Sequence, residues 1–159
     1  MTADTSTHFR ALDASEIRAI LERNGVGRMA YLLRDQVDVL PMHYVYNSGW
    51  IYGRTSPGEK LTALDRDRWV TFEVDEIQGP FDWRSVVVHG GFYPLTPGDV
   101  AWDDALRLLR TRVSETLTRD DPAPFRTVLF RIAVQECTGR EAVAEPQDES
   151  NPSRRAILT

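Results

Sequence analysis

The chain has 159 residues, 42% hydrophobic and 27% charged, which suits one globular domain with its own core and excludes a disordered chain. A formal net charge of −5, with arginines interleaved among acidic residues, opposes a nucleic-acid partner, since such partners select a basic face. The single cysteine, Cys137, cannot form an internal bridge. The N-terminus lacks the basic start and apolar stretch of a secretory signal, and no apolar run approaches the roughly 18 residues of a membrane helix. A cytoplasmic protein without a membrane partner is the expectation.

Residues 1–12 are polar and are expected to form a flexible start. Asp13 and Glu16 have the spacing of a capping box, and Ile17, Ile20 and Leu21 share a face, which predicts a short helix. Gly25 is placed to end it in a left-handed conformation. Residues 26–33 and 37–46 are β-rich and predict a hairpin turning at Asp35-Gln36. Pro41 within the second strand marks an edge, a bulge, or a place where another group needs the backbone. Asn47-Ser48-Gly49 is a further turn, and residues 50–53 resume as strand.

After Pro57-Gly58, residues 60–64 read as a brief helix. Residues 68–76 alternate, with Val70, Phe72 and Val74 on one face. Residues 83–95 predict a long strand with a bulge or tight bend at Gly90-Gly91. Thr96-Pro97-Gly98-Asp99 opens the longest predicted helix, whose buried stripe is Trp102, Ala105, Leu106, Leu109, Val113 and Leu117. Residues 127–137 form the last predicted strand, and residues 142–159 are expected to be a flexible tail. This order predicts a mainly β fold with flanking helices, in which six antiparallel strands close into a barrel.

Arg54-Thr55-Ser56-Pro57-Gly58-Glu59-Lys60 is the strongest chemical cluster. A phosphate is held by cations, hydroxyl donors and free backbone N–H groups converging on one spot. Arg54 and Lys60, the Thr55 and Ser56 hydroxyls, and a helix N-terminus near Glu59 supply that set. The same residues also suit a polar strand-to-helix turn with solvated charges, and the sequence leaves both readings open. On the strand at residues 83–90, Ser85 shares a face with Trp83 and Val87, so the strand either lines a flat heteroaromatic ring or is an ordinary barrel strand.

His8, His43 and His89 have no metal-ligand spacing with another His, Cys or carboxylate, so no metal site is assigned. His43 and His89 remain open as axial ligands of a haem. No nucleophile-elbow motif frames a serine, and no catalytic residue is assigned.

These segments, in this order, resemble the pyridoxamine 5′-phosphate oxidase-like FMN-binding split barrels, in particular the branch of nitroimidazole-resistance-type reductases. The resemblance rests on Val26-Gly27-Arg28-Met29-Ala30, Pro41-Met42-His43-Tyr44, Ile51-Tyr52-Gly53-Arg54-Thr55 with Gly58-Glu59-Lys60-Leu61, residues 70–75 and 83–90, and Phe130-Arg131-Ile132 with Thr138-Gly139-Arg140. It implies a six-stranded split barrel over residues 13–141, a homodimer, and FMN in a groove at the dimer interface. By that resemblance Arg54, Thr55, Ser56 and Lys60 would contact the phosphate. Pro41, Met42 and His43 would run along the isoalloxazine and ribityl chain, and Trp83, Ser85 and Val86 would lie near the ring edge. Arg54 stands where members of that branch often carry a His. Flavin hydride transfer to or from a small aromatic or heteroaromatic molecule is the implied activity. Haem, the deazaflavin F420, or a non-catalytic binding or sensor role are the alternatives on the same fold.

Overall fold

The computed structural model describes residues 7–144. In chain order these form β1 (Thr7–Ala11), α1 (Ala14–Arg23), β2 (Val26–Leu33), β3 (Gln36–His43), β4 (Val45–Asn47), β5 (Trp50–Thr55), α2 (Glu59–Arg66), β6 (Trp69–Gly79), β7 (Asp82–Pro94), α3 (Val100–Leu109) and β8 (Val128–Ala144). The strands pair antiparallel in the order β3-β2-β6-β7-β8-β5-β4, and β1 adds to β8.

The two ends of that order are halves of one strand. Only Tyr44 separates β3, which pairs with β2, from β4, which pairs with β5. The chain itself closes the ring. Taking β3 and β4 as one strand recovers the expected six-stranded barrel, with β1 as an addition. A backbone group that leaves its ladder inside a core must find another partner, and Tyr44 does. Its amide donates to the Gly25 carbonyl at 3.0 Å, its hydroxyl donates to the Leu21 carbonyl at 2.8 Å, and its buried ring meets Phe72 edge-on at 5.1 Å. Beyond this kink β3 and β5 approach each other without pairing, and that gap is the split.

Period-2 alternation sends Met29, Phe72, Val74, Val86, Val88, Phe92, Phe130 and Ile132 into the barrel, each fully or almost fully buried. At about 1.5–3 kcal/mol for each large side chain, this interior is the main favourable term. Leu64 of α2 and Ile17, Ile20 and Leu21 of α1 join the same core. On the outer surface, Ala105, Leu108 and Leu109 of α3 cover Tyr52, Val45 and Leu129 in a second apolar layer.

Asp13 caps α1 as its spacing predicts, its carboxylate accepting from the Glu16 amide at 2.8 Å. The far end differs from expectation. Asn24, extended at φ −96°, stops the helix instead of a left-handed Gly25. Its side-chain amide donates to the Ile20 carbonyl at 2.8 Å and to Glu76 at 2.7 Å, and Arg23 donates to Glu76 at 2.6 Å. Polar side chains tied to β6 therefore do the work that glycine would have done.

Other departures have equally local causes. The β2–β3 turn uses Arg34 and Asp35, both left-handed (φ 50° and 61°), one residue before the expected pair. Residues 7–11, expected to be flexible, pair with β8, where Arg10 reaches Glu141 at 2.7 Å. β8 in turn runs past its predicted end to Ala144, because β1 and β7 flank it. The sheet thus takes in residues on both sides of 13–141. α3 ends at Leu109, so Val113 and Leu117 lie off it, and Leu117 is itself left-handed (φ 55°). Residues 1–6, and the tail from 145 onward, lie outside the described residues. Among the described residues no helix is long and apolar enough to cross a membrane.

The expected bend at Gly90 is a bulge. His89 faces Glu136 while Gly90 faces Val134, and a Cβ on Gly90 would sit 1.9 Å from the Ala133 carbonyl oxygen. Gly90→Ala is therefore expected to destabilise the fold by about 3 kcal/mol, measured by urea unfolding; a change below about 1 kcal/mol would refute this steric reading. Arg23, and after it Asn24, hold the Glu76 carboxyl at a pKa of about 2. A depressed carboxylate contributes stability above its unfolded pKa and loses it as pH falls through the folded one. The stability deficit of Glu76→Gln should thus be largest above pH 4.5 and close toward pH 2. A deficit independent of pH would contradict it.

Candidate functional site

The split positions the predicted cluster. β5 leaves the sheet at Thr55, and Ser56-Pro57-Gly58 leads into α2. β3 comes close to β5 without pairing with it, so Pro41, Met42 and His43 at the end of β3 lie on the side of the gap that faces β5. Met42 turns its side chain into the core, whereas Pro41 and His43 are exposed. Gly58, at φ 156° and ψ −170°, occupies a region essentially reserved for glycine, and no side chain caps α2. The Leu61 amide donates to the Gly58 carbonyl at 3.1 Å, which leaves the Glu59 and Lys60 amides at the start of α2 for a ligand.

Lys60 is half-buried in that first turn. Burial, and then the nearby Arg126 guanidinium, hold its ammonium below its ordinary pKa. The β5–β8 ladder ends with Thr55 opposite Val128, so Arg126 runs beside the 56–58 turn. Among the described residues neither Lys60 nor Arg126 has a carboxylate partner. Two adjacent cations with hydroxyls and free amides form a corner suited to a dianion.

Arg54 is not in that corner. Strand alternation sends it to the other face of β5, where its guanidinium donates to both oxygens of Asp121, at 2.6 and 2.8 Å. The two side chains are 12% and 1% exposed. Asp121 also accepts from the amides of Leu117 (2.8 Å) and Ala123 (2.9 Å), and Arg54 donates to the carbonyls of Ala123 and Arg126. Arg54 above all holds the Asp121 carboxyl well below the usual carboxylate range. The guanidinium that the sequence aims at a phosphate is thus committed to a loop. Neither Asp121 nor Arg126 stands out in the sequence, where they read as parts of a polar Pro-containing loop; the β5–β8 register is what brings them to the site.

Trp83, Ser85 and Val86 lie elsewhere. Trp83 pairs with Ala142 and Pro94 with Phe130, so β7 runs about 35 Å from Trp83 to the phosphate-turn end at roughly 3.3 Å per residue. Val86 points into the core and is fully buried. Ser85 faces outward but donates its hydroxyl to Glu73 at 3.1 Å. Burial, then the neighbouring Asp75, pushes the Glu73 carboxyl up, and Arg28 reaches both acids at 3.1 and 3.3 Å. Trp83 lines a cavity of about 500 Å³ with Arg23, Glu76 and Arg84.

Between the two ends, the outer sheet face presents the row Val39–Ala30–Thr71–His89–Glu136. Part of it borders a groove of about 480 Å³ with Leu32, Val37 and Trp69, where His89 Nδ1 lies 3.0 Å from the Thr71 hydroxyl. Leu32, Val37, Val39 and Trp69 are all exposed. Among the described residues no group of three or more His, Cys, Asp or Glu is placed to hold a metal ion.

The sequence profile of the pyridoxamine 5′-phosphate oxidase family matches residues 13–141. Among solved structures, a FAD-binding protein from Mesorhizobium loti is 28% identical with a TM-score of 0.69, the alignment covering 86% of this chain and 99% of that one. A flavocytochrome from Azotobacter vinelandii, 16% identical with a TM-score of 0.65 over 95% of this chain and 76% of that one, shares the fold. An uncharacterized protein of Rhizobium meliloti (strain 1021) is 24% identical over 86 residues, 54% of this chain, and the match spans 57% of that relative's length. The family profile covers the barrel from the cap of α1 to the end of the β7–β8 ladder, and the fold closes as a split barrel: the chain belongs to the pyridoxamine 5′-phosphate oxidase family.

Proposed function

We propose that this protein is a flavoprotein that binds FMN at the open end of the barrel split, acts as a homodimer, and is an oxidoreductase of a small aromatic or heteroaromatic molecule. The observation that carries the reading is the cationic corner at Thr55, Ser56, Lys60 and the uncapped start of α2, whose donors fit a terminal phosphate monoester. Pro41 and His43 across the gap would flank the ribityl chain and ring, with Met42 contributing backbone. Bound flavin supplies two-electron redox chemistry, while the protein's residues bind it, orient it and shield it from water.

The dimer is argued from distance. Along β7, Trp83 lies about 35 Å and Ser85 about 30 Å of strand from the end beside the phosphate turn, a long way for one mononucleotide to reach, which favours a second copy supplying one side of the site. The exposed apolar face at Leu32, Val37, Val39 and Trp69 is the surface such a copy would cover. The Mesorhizobium loti relative, a FAD-binding protein, favours FAD as the second reading. Haem, with His43 or His89 as axial ligand, and F420 are separated from both flavins by their absorption spectra.

Purified protein should be yellow with a flavin spectrum, and should elute at twice the chain mass of 18.1 kDa. Lys60→Ala should weaken FMN binding about tenfold or more while leaving riboflavin binding within about twofold, because riboflavin lacks the phosphate. Equal losses for the two ligands would remove the phosphate assignment, and a Soret band would replace flavin with haem.

A further inference from the structure

We propose that Arg126 is the second cation of the flavin phosphate site, and that the buried Arg54–Asp121 pair is the positioning device that holds it there. The proposal rests on the flavin reading above and assigns new roles to residues of that site.

Arg126 reaches the site only through its loop. Residues 110–127 contain no helix or strand, so their shape is set by the contacts they make. Asp121 gathers the amides of Leu117 and Ala123, the Arg126 amide donates back to the Ala123 carbonyl at 3.0 Å, and Arg54 donates to the carbonyls of Ala123 and of Arg126 itself. One guanidinium rooted in β5 thereby ties the loop to the strand that ends at the phosphate turn. The Arg54 side chain points away from the corner, but its neighbours Thr55 and Ser56 belong to it, so the tie fixes both walls of the corner relative to each other.

A buried ion pair is an inefficient way to gain stability, because desolvation offsets most of the attraction. Its advantage is direction: a fork on a carboxylate permits one geometry, whereas apolar packing would let the loop slide. The tie keeps Arg126 just before the β5–β8 ladder end at Thr55–Val128, near enough to Lys60 to disfavour its charged form, an arrangement that costs repulsion when no anion is present. A phosphate dianion between the two cations relieves that cost. Arg54 is therefore a positioning residue, and Arg126 takes the ligand role that the sequence suggests for Arg54.

The test uses the full chain stripped of flavin and titrated with FMN and with riboflavin, with thermal melting as a control for folding. Arg126→Ala, a substitution outside the core, should lower FMN affinity about tenfold and leave riboflavin within about twofold. Asp121→Asn should lower FMN affinity selectively as well. The double variant should lose no more than Arg126→Ala alone, because Asp121 acts through Arg126. If Asp121→Asn does not fold, Arg54→Lys, which keeps the charge and loses the fork, takes its place in the cycle.

An unchanged ratio of FMN to riboflavin affinity in Arg126→Ala overturns the second-cation role. Additive losses in the double variant overturn the positioning role. Wild-type protein that binds neither ligand overturns the flavin reading and this proposal with it. Wild-type protein that binds FMN while Arg126→Ala keeps the ratio overturns the proposal alone.

Discussion

The rest of the molecule depends on the change of partner at Tyr44. A strand that stayed in one ladder from Gln36 to Asn47 would leave the sheet open at both ends. By turning its amide to Gly25 and its hydroxyl to Leu21, Tyr44 lets one strand pair with β2 on one side of the kink and with β5 on the other. Backbone satisfaction drives this arrangement, since every buried amide that abandons a sheet must be met elsewhere. The ring that results is closed at one end and split at the other, and the split is where the chemically equipped turn emerges.

Two devices keep that turn in place. Apolar packing anchors α2 through Leu64 in the barrel interior. On the outer face, the Arg54–Asp121 pair binds the 117–126 loop to β5, and its near-complete burial means that breaking either half would leave an unpaired charge out of water. The two devices act on opposite faces of one strand. Electrostatics that would be weak at an exposed surface become directional there, because Asp121 is surrounded by amides and the guanidinium and by little solvent.

The outer sheet face has a different character. Its centre holds the Arg28, Glu73, Asp75 and Ser85 network, in which a raised Glu73 accepts from the Ser85 hydroxyl and shares the Arg28 guanidinium with Asp75, and its margins are apolar and exposed. A polar centre with exposed apolar margins on the outside of the barrel suits a surface that meets another chain. Trp83 and the phosphate turn lie at opposite ends of β7, and the proposed dimer is the arrangement that would let one site use both.

Local structure was largely legible in the residues. The Asp13 cap, the alternation of Val70, Phe72 and Val74, the bend at Gly90, the six barrel strands and the Thr55–Lys60 turn follow from periodicity, capping chemistry and glycine placement, which act over a few residues. The family resemblance came from the same segments taken in order. What only the tertiary structure decided is which side chains meet across the sheet. Arg54 and Lys60 look equivalent in the sequence, yet alternation along β5 and the pull of Asp121, 67 residues away, divert one and leave the other at the corner. Val86 and Ser85 are neighbours, yet one is buried in the barrel and the other faces outward. Arg126 carries no local mark at all, and β1 forms only because β8 offers it an edge. Pairing between distant segments depends on register and on competition for buried hydrogen bonds, and those are properties of the assembled sheet.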